Sequence, residues 1–391
     1  MRDGRRGFLL LGGLLTGLLP LTLDVYLPGF PAMAEHFGTD MGSLQLTVST
    51  SLLGFALGQV MWGPITDRFG RKGPIVIGLL IFIAASLACA VAPSLGILAV
   101  LRFVQAAGAC AAVVGGRAMA RDQYEGRALA SAMSVIFLLF GLAPALSPVI
   151  GTLLLSRWAW PSTFIALAAI GAIALVGIAV HPETLPRDRR RAHGLGETLE
   201  GFRTVLRHPM TARATVLTFL AGAALFAWVA VSPAVLIGEE GLSLPTFTVV
   251  FVIVALAQVL GAQVNTILLR RVDVHRMLAR LIAVMCLGGV VLLAATLVHA
   301  PLWLRIVLIT VAIAPIVAVF GDAMTVALEP FAALAGAVAG IVGAMQTIGG
   351  SASAAILADL PIDSGLAMAI GICVPLLIAL PFARSLSRMT A

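Results

Sequence analysis

The sequence predicts an all-α integral membrane protein with twelve transmembrane helices in two six-helix halves. Of its 391 residues, 60% are hydrophobic and only 11% are charged, whereas ordinary soluble domains are about 45–50% apolar and about 25% charged. A helix needs roughly 20 apolar residues to cross the hydrocarbon core of a bilayer, so the chain has room for about twelve crossings. Its apolar runs are continuous, which excludes the alternating strands of a membrane barrel.

Apolar runs between polar breaks define the spans and their grouping. The longest polar stretch, Pro182–Met210, divides the spans six and six. We therefore predict a first half at 1–181, a cytoplasmic linker at 182–210 and a second half at 211–391, a layout typical of halves built from inverted repeats. Within the linker, 193–207 has the composition of a short amphipathic helix on the membrane surface. The predicted spans are 8–34, 44–66, 73–92, 95–120, 127–155, 160–181, 211–237, 245–269, 276–298, 301–325, 331–358 and 362–383.

The distribution of basic residues predicts the orientation of the chain. Most of the 25 Lys and Arg residues fall on the side that holds both termini, whereas the opposite loops carry mainly acidic residues such as Glu239 and Asp363. By the positive-inside rule, both termini lie in the cytoplasm. The N-terminal apolar run resembles a secretory signal, but it is long for one and carries Asp24. We therefore expect it to be retained as the first span.

Composition and motifs also exclude several function classes. The net charge of +7 is explained by cytoplasmic loops, so we predict no binding to nucleic acid. The four cysteines lie inside apolar runs without the spacing of metal ligands, and we expect no metal site. The sequence contains no phosphate-binding loop and no hydrolase motif, so it does not predict an enzyme or a cofactor. An ion gradient is the energy source that remains.

Ionisable side chains inside the spans are costly and indicate function. Asp24 lies about 24 Å into the first span, at about 1.5 Å per residue. Arg102 lies at a similar depth in the fourth span. A carboxylate on which burial and a nearby guanidinium act in opposite directions can be switched by a conformational change, as proton coupling requires. The alternatives are a static ion pair and an interfacial Asp near the outer surface.

Arg117 and Asp322 form a second pair of matched depth, near the inner ends of the fourth and tenth spans. They are candidates for an inner gate that closes when the cavity opens outward. The alternative is an Arg that extends to the membrane surface and a solvated Asp at a helix end.

The fifth span is unusual in its helix-modifying residues. Prolines remove backbone hydrogen bonds and glycines permit close helix contact, although ordinary packing of membrane helices also uses both. The residues are Gly141, Pro144, Pro148 and Gly151.

The loop between the second and third spans reads G-x-x-x-D-R-x-G-R-K, which resembles the first-loop motif of the major facilitator superfamily. The matching residues are Gly63, Asp67, Arg68, Gly70, Arg71 and Lys72. The segment 101–108, which contains Arg102, resembles the fourth-helix motif of the same family. The fifth span resembles its antiporter motif, with Ala143 and Thr152 where glycines are common. The segments 24–31 and 117–122 are similar to the Bcr/CflA drug-resistance subfamily, which includes bicyclomycin and phenicol exporters.

The resemblance implies the major facilitator fold, with a central cavity lined by helices 1, 4, 7 and 10. It assigns Asp24 and Arg102 to proton transfer, and it implies that Asp67, Arg71 and Asp122 form a charge cluster on the cytoplasmic side. We expect Gly63–Lys72, together with Asp122, to act as a conformational latch that stabilises the outward-open state. The candidate residues of the substrate cavity are Tyr26, Gln105, Phe226, Trp228 and Gln258.

The predicted function is proton-coupled export of drug-like small molecules by alternating access, in the inner membrane of a bacterium. The expected partners are the small-molecule substrate, protons and the lipid bilayer. We expect a monomer because twelve spans can enclose a transport path within one chain. Two alternatives remain open: a proton-coupled carrier of a natural metabolite such as an amino acid or peptide, and a receptor or scaffold that transports nothing.

Overall fold

The computed structural model describes residues 2–190, 195–331 and 334–388. In these residues, twelve helical stretches are long and apolar enough to cross a membrane. This confirms the predicted fold class, and the ends of the stretches fall within a few residues of the predicted spans. Of the predicted linker, Arg191 and His193 lie outside the described residues. The surface helix expected at 193–207 is present at Leu195–Arg207.

The helices up to the linker are α1 (Arg2–Asp24), α2 (Phe30–Phe37), α3 (Met41–Phe69), α4 (Lys72–Ala90), α5 (Leu95–Gln123), α6 (Gly126–Leu155) and α7 (Pro161–Val180). The later helices are α8 (Leu195–Arg207), α9 (Pro209–Pro233), α10 (Leu244–Leu268), α11 (Val274–Leu297), α12 (Leu302–Ile313), α13 (Ile316–Leu328), α14 (Ala335–Ala358) and α15 (Ser364–Arg388).

The chain divides into two compact units. The first comprises Met1–Ala32 and Thr50–Thr198, and the second comprises Met33–Ser49 and Leu199–Ala391. Residues 33–49, which the sequence assigned to the first half, therefore group with the second unit. The division into halves at the linker stays a prediction.

Close helix packing in each unit depends on small residues. In the first unit, α1 packs against α5 and α6, and α4 packs against α5 and α7. In the second unit, α9 packs against α14 and α15. A Cβ atom at Gly222 would run into the backbone carbonyl of Gln346, and one at Gly349 would run into that of Phe219. Such close backbone approach is the usual role of glycine between membrane helices.

Within the described residues, the first, seventh and tenth spans are interrupted. In the first span, α1 ends at Asp24 and a short 3-10 helix, Leu27–Gly29, precedes α2. In the seventh, α9 passes at Pro233 into a π-helix, Ala234–Glu239, and in the tenth α12 and α13 are separated next to Pro315. A proline adjoins or occupies each break, and proline cannot donate the backbone hydrogen bond that would continue the helix. Broken membrane helices commonly provide binding sites near the middle of a transporter.

Candidate functional site

The first candidate site is the break at the end of α1. Asp24 is the last residue of α1 and is only 5% exposed. Val25 and Tyr26 form a turn, and the 3-10 helix that follows, Leu27–Gly29, contains Pro28. Non-helical backbone at membrane depth is tolerated where it is buried in protein, and both turn residues are fully buried. The break therefore presents a buried carboxylate at an irregular point of the first span.

Arg102, on α5, is fully buried and holds the end of α1. Its Nη2 donates to the backbone carbonyl of Thr22 at 2.8 Å. The last carbonyls of a helix have no partner within the helix, and a cation there also complements the helix dipole. In the described residues, Arg102 and Asp24 make no direct ion pair, although the charge of the guanidinium acts on the carboxylate. The two groups are therefore coupled through the same helix end, two residues apart on α1.

Two predicted cavity residues position Arg102. The Tyr26 ring lies against its guanidinium, with 4.1 Å between the ring centroid and Cζ. Gln105 accepts from Nη1 of Arg102 at 2.5 Å and donates to Oγ of Ser86 at 2.7 Å. Phe164 adds a second ring, 5.7 Å from Cζ. The sequence did not indicate Ser86 or Phe164, because neither residue carries a charge or belongs to a motif.

The remaining predicted cavity residues lie in the second unit. Trp228 is buried on α9 and stacks on Phe251 of α10, with ring centroids 5.7 Å apart. Phe226, also on α9, is buried and packs where a side chain at Gly350 would otherwise lie. Gln258 on α10 is half-buried. Their role as walls of a substrate cavity stays a prediction.

Gly151, from the fifth-span motif, brings α6 onto the break after Asp24. A Cβ atom at Gly151 would run into the backbone carbonyl of Val25 and would lie 3.3 Å from Cγ of Pro28. The other motif residues, Gly141, Pro144 and Pro148, lie on the same helix, which is continuous through both prolines. The motif is therefore in direct contact with the break through its last glycine.

Gly151→Ala is expected to displace α6 from the break and to reduce transport severalfold. The reason is that a methyl group facing a backbone carbonyl cannot be accommodated by a side-chain rotation, and overpacking costs on the order of 1–3 kcal/mol. The measurements are transport rate and the thermal unfolding temperature of the purified protein. Gly96→Ala is the matched control, because a Cβ atom at Gly96 has no neighbour within 4 Å. Equal behaviour of the two variants would contradict the proposed contact.

The second candidate site is the charge cluster around Arg71, between α3 and α4. Arg71 is 7% exposed. Its guanidinium pairs with Asp67 on α3 and with Asp122 near the end of α5, where Nε lies 2.9 Å from Oδ2. It also donates to Oγ1 of Thr66 at 3.3 Å. The structure thus brings together Asp67, Arg71 and Asp122, as the family resemblance implied.

The other residues of the loop motif have different surroundings. Gly70 has a φ of 94°, in the left-handed region that favours glycine. Lys72 Nζ donates to the carbonyl of Ala179 at 2.6 Å. Arg68 is exposed and lies over the Phe69 ring, and Gly63 has open space around it. Arg68 and Gly63 therefore do not contribute to the ion-pair cluster.

Glu183 completes the cluster and was not predicted from the sequence. It follows α7, and its two carboxylate oxygens accept from the backbone N–H groups of Arg71 at 2.9 Å and Lys72 at 3.2 Å. These are the first N–H groups of α4, which otherwise lack partners and favour a negative charge. More than a hundred residues separate Glu183 from Arg71 in the chain, so no local pattern indicates their contact. The only sequence feature that distinguishes Glu183 is its position directly after the sixth span.

Glu183→Gln is expected to destabilise the protein at neutral pH and to have little effect in acid. Burial raises the pKa of Glu183, but the backbone N–H groups of Leu185, Arg71, Lys72 and Thr184 outweigh it and hold that pKa below its usual value. The stabilisation is therefore present above the unfolded-state pKa of about 4.3, and it is lost as the pH falls through the lower folded-state pKa.

The measurement for Glu183 is the unfolding temperature of wild type and variant between neutral pH and the acid limit of solubility. Hydrogen bonds to a charged group contribute about 1.5–3 kcal/mol, so the difference at pH 7 should be clearly resolved. Glu125→Gln is the control, since Glu125 is exposed and its side chain makes no capping hydrogen bond. A difference that does not change with pH would contradict the explanation.

Arg117 and Asp322, the predicted inner gate, lie in different units, and each has partners within its own. The Arg117 guanidinium lies 5.4 Å from the ring centroid of Phe137 and 5.6 Å from that of Phe140. Asp322 is 4% exposed and accepts from Nδ2 of Asn265 at 2.9 Å. The gate stays a prediction. In the described residues, no group of three His, Cys, Asp or Glu side chains could hold a metal ion.

Comparison with known proteins identifies relatives of the whole chain. The sequence profile of the Major Facilitator Superfamily matches residues 5–354. The uncharacterized MFS-type transporter YdgK of Bacillus subtilis is 30% identical over 343 residues, which are 87% of this chain and 85% of that protein. A bicyclomycin resistance protein homolog of Haemophilus influenzae is 28% identical over 371 residues, 94% and 93% of the two chains. The structure of the xylose transporter XylE from E. coli shares the fold, with a TM-score of 0.75 and 14% identity over 96% of both chains.

Proposed function

Because the chain belongs to the Major Facilitator Superfamily, it is a multi-pass membrane transporter and not an enzyme, and we propose that it exports drug-like small molecules in exchange for protons. The observation that carries the proton coupling is the buried Asp24 carboxylate at the broken end of α1, next to the guanidinium of Arg102. The relative named for bicyclomycin resistance supports the substrate class.

The proposed coupling uses the competition between a proton and the local charges for Asp24. When ionised, Asp24 is stabilised by the positive charge of Arg102, and a substrate with a polar or cationic group binds beside it. When Asp24 takes up a proton from outside, its attraction to that charge disappears and the substrate is released. Burial disfavours the charged form of a carboxylate inside the membrane and a nearby cation favours it, so a change in either changes its protonation.

Several finer assignments belong to the same proposal. The positive-inside rule supports cytoplasmic termini in the inner membrane of a bacterium. The proton gradient supplies the energy, no cofactor is required, and one chain forms the transport path. The cluster of Asp67, Arg71, Asp122 and Glu183 acts as the conformational latch. Its described contacts all join segments of the first unit.

The test is transport in proteoliposomes with an imposed pH gradient. We expect bicyclomycin or ethidium to move against its own gradient only while protons flow in the opposite direction, and a protonophore to abolish the movement. Movement that persists without a pH gradient would contradict proton coupling. Movement of amino acids or peptides, with none of the drug-like probes, would instead identify a metabolite carrier. No movement of any probe would favour a receptor or scaffold.

A further inference from the structure

A buried histidine lies between two carboxylates at the turn that joins α10 and α11. The side chain of His275 is 4% exposed. Its Nδ1 lies 3.4 Å from Oδ1 of Asp273, and its Nε2 lies 3.3 Å from Oε2 of Glu329, the C-cap residue that directly follows α13. Both ring nitrogens lack a well-aligned hydrogen bond in the described residues. The imidazole therefore faces one acidic group on each of its two nitrogens.

This arrangement distinguishes between the protonation states of the ring. A neutral imidazole has one N–H donor and one nitrogen that carries a lone pair. Whichever tautomer is present, the lone pair faces a carboxylate, and the two groups repel each other. The imidazolium form has two N–H donors and meets an acceptor at each side. Only the protonated ring is complementary to both neighbours.

The two carboxylates are held in place by the fold. Asp273 caps α11 and accepts from the backbone N–H groups of His275 and Arg276 at 2.9 and 3.4 Å. Although burial raises the pKa of Asp273, those N–H groups and the nearby ring of His275 hold it below its usual value. Asp273 is therefore ionised at neutral pH. Glu329 is a negative charge at the C-terminal end of a helix, where the dipole favours a cation.

The same position in the first unit is occupied by a permanent cation. There, Arg71 lies in the turn between α3 and α4 and pairs with Asp122 near the C-terminal end of α5. In the second unit, His275 lies at the turn between α10 and α11 and faces Glu329 at the C-terminal end of α13. In each unit, a buried basic side chain at a turn thus contacts a carboxylate at the end of the next helix but one in span order. Arginine is always charged, whereas histidine titrates near neutral pH.

We propose that His275 is a proton-binding site, which joins the α10–α11 turn to the end of α13 when it is protonated and releases that helix end when it is neutral. The site is independent of Asp24 and does not require the proposed drug export. Its ligand is a proton from the solvent on the side where the α10–α11 turn lies. The contact in the second unit thereby depends on pH, whereas the corresponding contact of Arg71 does not.

The other charged residues to consider are those of the helices that pack against α11, which are α12, α13 and α15. Arg305 of α12 pairs with Glu240, and Asp322 of α13 accepts from Asn265. The charged residues of α15 are Arg384 and Arg388, and those of the turn and of α11 itself are Arg270, Arg271, Arg276 and Arg280. These arginines disfavour a further positive charge, so proton binding at His275 must come from Asp273 and Glu329.

The experiment is NMR titration of the ring signals in the purified full-length protein labelled at its six histidines, with His275→Asn used to assign the signal. We expect Glu329→Gln and Asp273→Asn each to weaken proton binding at His275 by about tenfold. Asn caps helices as well as Asp, so Asp273→Asn removes the charge and keeps the cap. His299→Asn is the control, because His299 is exposed and its φ of 52° suits Asn.

Thermal unfolding gives a second measurement that does not rely on the signal assignment. Glu329→Gln is expected to lower the unfolding temperature more at about pH 6 than at about pH 8.5, because only a protonated ring is stabilised by the charge of Glu329. An unchanged His275 titration in both carboxylate variants would overturn the proposal. A destabilisation by Glu329→Gln that is equal at both pH values would also overturn it, since it would show a structural role for Glu329 without proton binding.

Discussion

Asp24→Asn is expected to abolish proton-driven transport while the protein still folds and binds substrate. Asparagine has nearly the same shape as protonated aspartate, so the buried space at the end of α1 remains filled. It cannot release or take up a proton, so the step that couples the two fluxes is lost. Because a proton-carrying group cannot be replaced by a neighbouring side chain at this depth, we expect the loss to be on the order of a hundredfold or more.

The measurement for Asp24 is drug accumulation in proteoliposomes with and without a pH gradient, together with substrate binding at equilibrium. Asp359→Asn is the matched control, since Asp359 is exposed at the end of α14. Asp24→Glu keeps a titratable carboxyl and should retain part of the coupling. If Asp24→Asn showed coupled transport at the wild-type rate, Asp24 would have no role in coupling, and Asp322 would be the next carboxylate to test.

The sequence was sufficient to predict the twelve spans because their signal is local. Each span is a continuous apolar run, and the length of a run determines whether it can cross the bilayer. The interruptions inside spans were only partly visible. Pro28, Pro233 and Pro315 were present in the sequence, yet α6 continues through Pro144 and Pro148. A proline alone therefore does not reveal whether neighbouring groups let the helix continue.

The sequence predicted those residues of the candidate site that are recognisable by their charge and their depth in the membrane. Asp24 and Arg102 were chosen because ionisable residues are rare inside membranes, and the structure places both at the end of α1. On α1, the hydrogen-bond partner of Arg102 is the backbone carbonyl of Thr22. A backbone carbonyl has no signature in a sequence, because every residue carries one. The contact depends on where α1 ends, which tertiary packing determines.

Glu183 and Glu329 were missed for a different reason. Each lies just beyond a span, where acidic and basic residues are ordinarily solvated and give no special signal. Their contacts, with the start of α4 and with His275, join residues that are far apart in the chain. Sequence motifs describe local patterns, whereas these pairs follow from the packing of helix ends against each other.

Arg71→Met is expected to be the most destabilising change on the loop between α3 and α4 and to reduce transport strongly. The substitution removes the cation but leaves Asp122, whose side chain is only 15% exposed, next to Asp67. Breaking a largely buried pair by removing one partner costs on the order of 3 kcal/mol, since the remaining charge is uncompensated. Arg71→Lys should restore only part of the stability, because an ammonium group cannot contact two carboxylates with the planar geometry of a guanidinium.

A comparison of Arg71→Met with Arg68→Met distinguishes the loss of the ion-pair cluster from the general effect of removing a positive charge. Arg68 lies three residues earlier, in the last turn of α3, and it is exposed over the Phe69 ring. Both variants remove one positive charge from the same side of the protein, so both change the orientation signal of the loop equally. Only Arg71→Met should lower the unfolding temperature and slow transport, and adding Asp122→Asn to it should recover part of the stability. If the two single variants behave alike, the loop acts only through its net charge and the proposed latch does not exist.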